Sequence, residues 1–254
     1  MNNVLAIVQA RLGSSRFKNK VIAPLSNTTV IGYMLRRIAK SKCITKIIVA
    51  IPYTDFKLKD LISTYGIETY EGSENNVLDR FYSAAKHFQA YIIVRLTADC
   101  PLVDPGLIDE MITRYKEDEF DYLGFGSNPT YPDGLGTEVL NYESLYCAWK
   151  YSKNSDEKEH VTLYIRNNPD KFKIGIHSLD KDYSYIRLTL DYPEDLAVIQ
   201  NIVNTLDKLG DECFGYNDVI KLYNENPLIF TANKYLAVRN YSSLIKISDV
   251  KDKQ

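Results

Sequence analysis

The sequence predicts an α/β fold, a mostly parallel sheet flanked by helices, and three observations carry that reading. The chain opens on an all-apolar stretch of strand length, Val4-Leu5-Ala6-Ile7-Val8, the composition of a strand buried on both faces of a parallel sheet. Similar runs then alternate with segments whose apolar residues recur at helical spacing, the rhythm of βαβ units with right-handed crossovers. The first run also breaks into a cation-rich turn bearing glycine and serine, at the strand end where open α/β sheets hold their ligands. With 254 residues, 45% of them apolar, the chain is long enough to bury a sizeable core.

The elements follow in order. After Gln9 and Ala10 comes Arg11-Leu12-Gly13-Ser14-Ser15-Arg16-Phe17-Lys18-Asn19-Lys20. Gly13 frees the backbone to aim N–H groups at an anion, and Arg11, Arg16, Lys18 and Lys20 neutralise several phosphate charges together. The turn is either a polyphosphate cradle or a solvated basic loop. It lacks the Gly-Lys-Ser/Thr ending of a P-loop and the three spaced glycines of a dinucleotide fingerprint. Thr28 or Thr29 caps a helix that puts Val30, Ile31, Met34, Leu35 and Ile38 on one face. Residues 44–51 form a second buried strand; 55–65 form a helix with Leu58, Leu61 and Ile62 inward, ended by Gly66. A short strand at 67–70, a loop at 71–75, a helix at 77–88 and a strand at 91–96 complete the first half. The rhythm changes between about 121 and 180, with a strand-like 122–125, a Pro/Gly turn at 131–134 and helices at 143–151 and 159–167. This stretch reads as a lobe inserted in one continuous domain spanning 1–254. Residues 185–190 return as a strand, and Pro193 opens a helix at its favoured first position, running 194–206.

A formal net charge of −2 gives no overall basic field for nucleic acid, so cationic spots are judged locally. No apolar run spans a bilayer and no leader pattern opens the chain, so a soluble, cytoplasmic protein without a membrane partner is expected. Cys43, Cys100, Cys147 and Cys213 stand far apart without a C-x-x-C pair, as small buried thiols in a reducing cytosol do. The 20 tyrosines are scattered and fit half-buried packing positions. The polar end, 246–254, is expected to fray.

Two aspartates stand out because each follows a predicted strand. Asp99 lies just past 91–96, in Thr97-Ala98-Asp99-Cys100-Pro101-Leu102. It is placed either to hold Mg²⁺, which takes one or two carboxylates with phosphate oxygens and waters, or to start the turn into Pro101. Asp191, in Leu190-Asp191-Tyr192-Pro193, repeats the arrangement and serves as a second metal carboxylate or as a helix N-cap. A third loop, Glu71-Gly72-Ser73-Glu74 with Val77-Leu78-Asp79-Arg80, lies on the same sheet edge. There Arg80 contacts a base or phosphate, or else pairs with Asp79 or Glu74 on a solvated face. Asp133, Glu138, Glu159 and His160 lie in the lobe, where an acceptor would be read, although a His at a helix start is more commonly structural.

Taken together these stretches resemble the cytidylyltransferases that make CMP-sugars, the acylneuraminate and KDO (3-deoxy-manno-octulosonate) type, and most nearly their spore-coat-polysaccharide branch. The resembling segments are Gln9-Ala10-Arg11-Leu12-Gly13-Ser14-Ser15-Arg16 with Lys20; Gly72-Ser73-Glu74 with Val77-Leu78-Asp79-Arg80; and Val94-Arg95-Leu96-Thr97-Ala98-Asp99-Cys100-Pro101-Leu102. Tyr131-Pro132-Asp133-Gly134, Glu138-Val139, Glu159-His160-Val161-Thr162 and Asp191-Tyr192-Pro193-Glu194-Asp195 follow in family order. The resemblance implies a nucleotide-diphospho-sugar-transferase-like fold, a homodimer formed through the lobe, and CTP with Mg²⁺ as reagents. It implies that Arg11, Ser14, Arg16 and Lys20 hold the triphosphate and that Asp99 and Asp191 are the metal carboxylates. Gln9, Ala10, Gly13, Ser73 and Arg80 complete the expected nucleotide site. Two departures stand out: the family usually carries Pro-Gly before the lysine, where this chain has Lys18-Asn19, and a threonine where it has Ile51-Pro52.

The reaction this implies is attack of an acceptor oxygen on the α-phosphorus of CTP with loss of pyrophosphate, catalysed by in-line placement and charge neutralisation. Arg11, Lys20, Asp99 and Asp191 are the expected catalytic residues, and an acidic, nonulosonate-like sugar is the expected acceptor. A phosphate- or phosphonate-bearing acceptor, read by Arg187 or Lys158, is the alternative. A glycosyltransferase of similar fold would carry an Asp-x-Asp motif, and Asp99-Cys100-Pro101 lacks the second aspartate. A non-enzymatic nucleotide sensor would have no need of both metal carboxylates.

Overall fold

The computed structural model describes residues 3–210 and 212–236. Its strands are β1 (Val4–Gln9), β2 (Pro24–Leu25), β3 (Thr28–Thr29), β4 (Lys46–Pro52), β5 (Glu68–Gly72), β6 (Ile92–Thr97), β7 (Tyr122–Gly124), β8 (Glu138–Asn141) and β9 (Ile174–Ile176). Its helices are α1 (Val30–Ile38), α2 (Phe56–Thr64), α3 (Val77–His87), α4 (Pro105–Glu117), α5 (Tyr142–Tyr151), α6 (Ser155–Glu159), α7 (Leu163–Arg166), α8 (Pro193–Leu206) and α9 (Tyr216–Glu225). Short 3₁₀ turns lie at Lys20–Ile22 and Pro227–Phe230.

Seven strands form one sheet in the order β5-β4-β1-β6-β8-β7-β9. β5, β4, β1 and β6 pair in parallel; β8 runs against both β6 and β7, and β9 is parallel to β7. The sheet is therefore mostly parallel, as expected, with β8 its reversed strand. Successive side chains of β1 alternate between two cores. Val4, Ala6 and Val8 pack with α1, α4 and α8 residues such as Met34, Met111 and Ile199, whereas Leu5 and Ile7 pack with Phe81 of α3 and Leu145 of α5. Covered on both faces, β1 can be apolar throughout. Its parallel pairing with β6 delivers the carboxyl ends of both strands to one edge of the sheet.

The structure departs from the sequence reading at several points. Residues 185–190 form no strand: a single parallel bridge joins Arg187 to Asp133, through Asp133 N to Ile186 O (2.9 Å) and Leu188 N to Asp133 O (2.6 Å). The 131–134 turn offers too short an edge for a ladder. Of the expected helix 159–167 only α7 (Leu163–Arg166) forms, with Glu159 ending the earlier α6; a turn at 160–162 intervenes, where Leu163 N bonds to His160 O and the Thr162 hydroxyl is drawn to Glu138. Two unforeseen helices appear. At α4, Pro105-Gly106 reads as a turn in sequence, yet Asp104 caps the helix through Gly106 N and Leu107 N (2.8 and 3.2 Å), and Pro105 takes the favoured first position. The other carboxylate oxygen of Asp104 accepts from Tyr216 N at 2.7 Å and so anchors α9, the second of them. Of the cysteines only Cys100 is buried; Cys213 is exposed. The expected fraying at 246–254 lies outside the described residues. No described helix is long and apolar enough to cross a membrane.

Candidate active site

The cradle follows directly from β1. Its turn is tied down by Leu12 N to Asp55 Oδ2 (2.9 Å) and by Ser14 N and Asn19 N, which both donate to Leu12 O. Asn19 adopts φ 61°, ψ 21°, the left-handed conformation that asparagine tolerates better than most residues. It thus makes the bend before the lysine without glycine, and the following 3₁₀ turn sends Lys20 back under the cradle.

The two aspartates arrive from separate segments that are stitched together. Ala98 N bonds to Gln9 O (2.9 Å), fixing the end of β6 beside that of β1, and Leu190 N bonds to Asp99 O (2.7 Å). As a result Lys20 Nζ lies 3.0 Å from Asp99 Oδ2 and 2.9 Å from Asp191 Oδ1. Arg16, over the Tyr192 ring, reaches Asp191 Oδ1 at 2.9 Å. Burial on its own would raise the Asp99 carboxyl, but the Lys20 ammonium and a hydrogen bond from Thr97 hold it below the ordinary value. The N-cap of α8 is Tyr192, which leaves the Asp191 carboxylate free to face Lys20. Gln9, Ala10, Arg11, Ser14, Arg16, Lys20, Asp99 and Asp191 all line one open cleft of about 650 Å³. Among the described residues no group of three or more His, Cys, Asp and Glu gathers as a metal cluster. The oxygens of Asp99 and Asp191 do converge on a point that already holds a positive charge, and two hard carboxylates of this kind suit Mg²⁺ when phosphates complete its shell.

Behind Asp191 stands a buried ionic cluster. The Arg187 guanidinium, 2% exposed, forks onto Asp195, itself 0% exposed, through Nε (2.9 Å) and Nη2 (3.0 Å). It also reaches Asp133 Oδ2 at 3.2 Å and Asp191 Oδ2 at 3.5 Å. Asp195 Oδ2 accepts from Asp191 N and Tyr192 N (2.9 and 3.0 Å), and Asn233 donates to Asp195 Oδ1 at 2.9 Å. Arg187 is thus committed to orienting Asp191 and is not presented to an acceptor; Lys158 is exposed on α6. Sequence reasoning passed over Asp195 as a positioning residue, although an acid at the third position of a helix that starts on proline is a capping signal.

A second cavity, about 600 Å³ including its open mouth, adjoins the cluster and is lined by Tyr122, Tyr131, Asp133, Thr137, Glu138 and Arg166 among others. Asp133, its side chain 45% exposed, lines it on the side of the Arg187 cluster. Gly134 beside it has φ +110°, and a Cβ there would lie 2.4 Å from Thr189 N, so the turn packs backbone to backbone against 188–189. Partial desolvation, with Asp191, Asp195 and Asp99 nearby, raises the Asp133 carboxyl despite Arg187 and despite an exposed edge. Glu138 lines this cavity too, but both its oxygens are engaged internally: Oε1 by Tyr122 Oη (2.5 Å) and Thr162 Oγ1 (2.7 Å), Oε2 by Arg95. Arg166, unnoticed in the sequence, brings an exposed guanidinium to the wall. Glu159 and His160 are exposed and line neither cavity.

The remaining nucleotide-site candidates are Ser73 and Arg80 of the third loop and Gly13 of the cradle turn. Arg80 is buried, not on a solvated face; its Nη1 donates to Ser73 O at 2.6 Å, and its Nε has no partner among the described residues. Burial, with Arg11 close by, pulls its guanidinium down to about 10. Asp79 pairs instead with Trp149 Nε1. Ser73, Arg80 and Gly13 are not part of the cleft lining.

Comparison with known proteins agrees with this architecture. The cytidylyltransferase family profile matches residues 5–236. The spore coat polysaccharide biosynthesis protein SpsF of Bacillus subtilis is 31% identical over 238 residues, covering 89% of this chain and 96% of its own. A 3-deoxy-manno-octulosonate cytidylyltransferase of Syntrophotalea carbinolica is 28% identical over 66% of this chain and 63% of its own. The solved structure of a cytidylyltransferase from Leptospira borgpetersenii superposes with a TM-score of 0.85 at 30% identity, covering 91% of this chain and 97% of that one. The chain belongs to the cytidylyltransferase family, in the CMP-sugar group and its SpsF-like branch, and is a CTP-using nucleotidyltransferase.

Proposed function

We propose that the protein transfers CMP from CTP to an acidic, nonulosonate-like sugar in surface glycan biosynthesis, with Mg²⁺ and release of pyrophosphate. In this reaction an acceptor oxygen attacks the α-phosphorus, the bond from that phosphorus to the α–β bridging oxygen breaks, and the hydroxyl proton is lost. Arg11, Arg16 and Lys20 hold the β- and γ-phosphates and neutralise the departing pyrophosphate, with Ser14 and the turn amides completing the cradle. Asp99 and Asp191 would hold the metal, which would supply polarisation of the α-phosphate and acidification of the acceptor hydroxyl. Arg187 and Asp195 keep Asp191 in place. Arg80 and Ser73 complete the nucleotide site, with Arg80 toward a base or phosphate.

The observation that carries this reading is the convergence of Asp99 and Asp191 on one cation position inside a cationic cleft. The acidic acceptor is supported by Arg166 in the wall of the adjoining cavity, since a carboxylate-bearing ligand needs a cation there. Asp133 and Glu138 shape that cavity; Glu159 and His160 enter only as surface groups near α6. A homodimer formed through residues 121–180 and a cytoplasmic location complete the proposal.

The test is pyrophosphate release from CTP against a panel of sugar acids and small phosphorylated acids. A sugar acid is the expected best substrate, and the Asp99→Asn variant is expected to lose about 100-fold or more of the rate while staying folded. Near-normal release by that variant removes Asp99 from the mechanism, and preference for a phosphorylated acid replaces the sugar-acid acceptor.

A further inference from the structure

The side chain of Lys20 is only 10% exposed, and its ammonium stands between the two carboxylates proposed to hold the metal, within hydrogen-bond distance of both. A divalent ion within bonding reach of both Asp99 Oδ2 and Asp191 Oδ1 would overlap that ammonium, and the two cations would repel strongly in a partly buried site. Arg16, also on Asp191 Oδ1 at 2.9 Å, adds to the positive charge there. A metal ion arriving alone therefore meets a site whose negative charge is already spent. A triphosphate changes the balance, because its oxygens offer Lys20 and Arg16 another set of anionic partners one side-chain swing away, in the cleft that both residues line.

We propose that Lys20 occupies the metal position in the nucleotide-free enzyme and surrenders it to the metal–nucleotide complex, so that metal binding is conditional on nucleotide. The inference rests on the reading of Asp99 and Asp191 as the metal carboxylates. It gives Lys20 two successive posts: a counter-ion that keeps the two acids together while the site is open, then a phosphate ligand once the cleft is filled. It also makes the enzyme insensitive to free divalent ions and responsive to the ion already chelated by its substrate.

The test is a titration with Mn²⁺, read by the paramagnetic resonance signal of the unbound ion and by thermal shift, on the wild type and on Lys20→Met, each with and without CTP, the CTP arm being compared with a protein-free CTP blank because CTP itself chelates Mn²⁺. Lys20→Met is expected to bind Mn²⁺ without nucleotide at least about tenfold more tightly than the wild type, and adding Asp99→Asn to that variant is expected to abolish the gain. The wild type is expected to take up Mn²⁺ only when CTP is present. If Lys20→Met does not fold, Lys20→Gln, which keeps a donor between the carboxylates, is measured in its place. Equal affinity of wild type and variant for Mn²⁺ alone, or uptake by neither until CTP is added, overturns the place-holding role and leaves the metal reading intact. Absence of Mn²⁺ binding from every chain, even with CTP, overturns the metal reading and this inference with it.

Discussion

Replacing Asp195 by asparagine tests whether the buried cluster behind Asp191 holds the site together. Asp195 is 0% exposed and accepts from five donors at 2.9–3.0 Å: Arg187 Nε and Nη2, the amides of Asp191 and Tyr192, and Asn233 Nδ2. Asparagine keeps one acceptor oxygen and turns the other into an NH₂ group. If the NH₂ takes the Oδ2 position it faces Arg187 Nη2 and two backbone amides; if it takes Oδ1 it faces Arg187 Nε and Asn233. At least two donors lose their acceptor either way, and a buried guanidinium loses its main counter-charge. Removing one partner of a buried pair costs about 3–5 kcal/mol, which agrees with losing two charge-assisted hydrogen bonds at about 1.5–3 kcal/mol each. For a chain of this size that corresponds to a fall in Tm of about 6–20 °C. Calorimetry gives the stability, and pyrophosphate release at a temperature where the variant remains folded gives the activity, which is expected to fall as Asp191 loses its backbone anchor. A Tm within about 2 °C of the wild type, with unchanged turnover, would refute this reasoning.

Three further outcomes follow from other parts of the structure. Arg166→Gln is expected to raise KM for the acidic acceptor about tenfold to a hundredfold, the worth of a charge-assisted hydrogen bond, while leaving KM for CTP unchanged in initial-rate assays. Asp133 has its pKa raised on folding, so its ionised form costs stability above that raised value, and the cost disappears below the ordinary carboxylate pKa of about 4. Asp133→Asn is therefore expected to unfold at a higher temperature than the wild type near neutral pH, with the difference closing as the pH falls into the carboxylate range. Gly134→Ala places a methyl against the backbone of 188–189 at a φ of +110°; a loss of about 1–3 kcal/mol, or about 2–12 °C in thermal melts, is expected.

What the sequence revealed depended on how local each cause was. β1 and its cradle were legible because an apolar run and a cation-rich turn act over a few residues, and even the Lys18-Asn19 departure is resolved locally by the left-handed Asn19. Residues 185–190 misled because their alternation is genuine: Ile186, Leu188 and Leu190 are all buried. Alternation reports which side chains face inward, whereas a strand also needs a continuous neighbouring edge, and among the described residues the segment finds one bridge to Asp133 and a single bond from Leu190 N to Asp99 O. The meeting of Asp99 with Asp191 was expected from their places at predicted strand ends and from the order of family motifs, whereas the Leu190 N to Asp99 O bond that joins them is a contact no local pattern encodes. Asp195 and Arg166 were missed for the same reason: each takes its meaning from partners brought by other segments.

Asn233 gives the architecture a temporal side. Its buried amide closes the cluster by donating to both Arg187 O (3.1 Å) and Asp195 Oδ1. A ribosome therefore exposes the cradle and both aspartates well before it releases the residue that seals their support. The support behind Asp191 is thus completed by a residue that lies far later in the chain than the cradle and both aspartates.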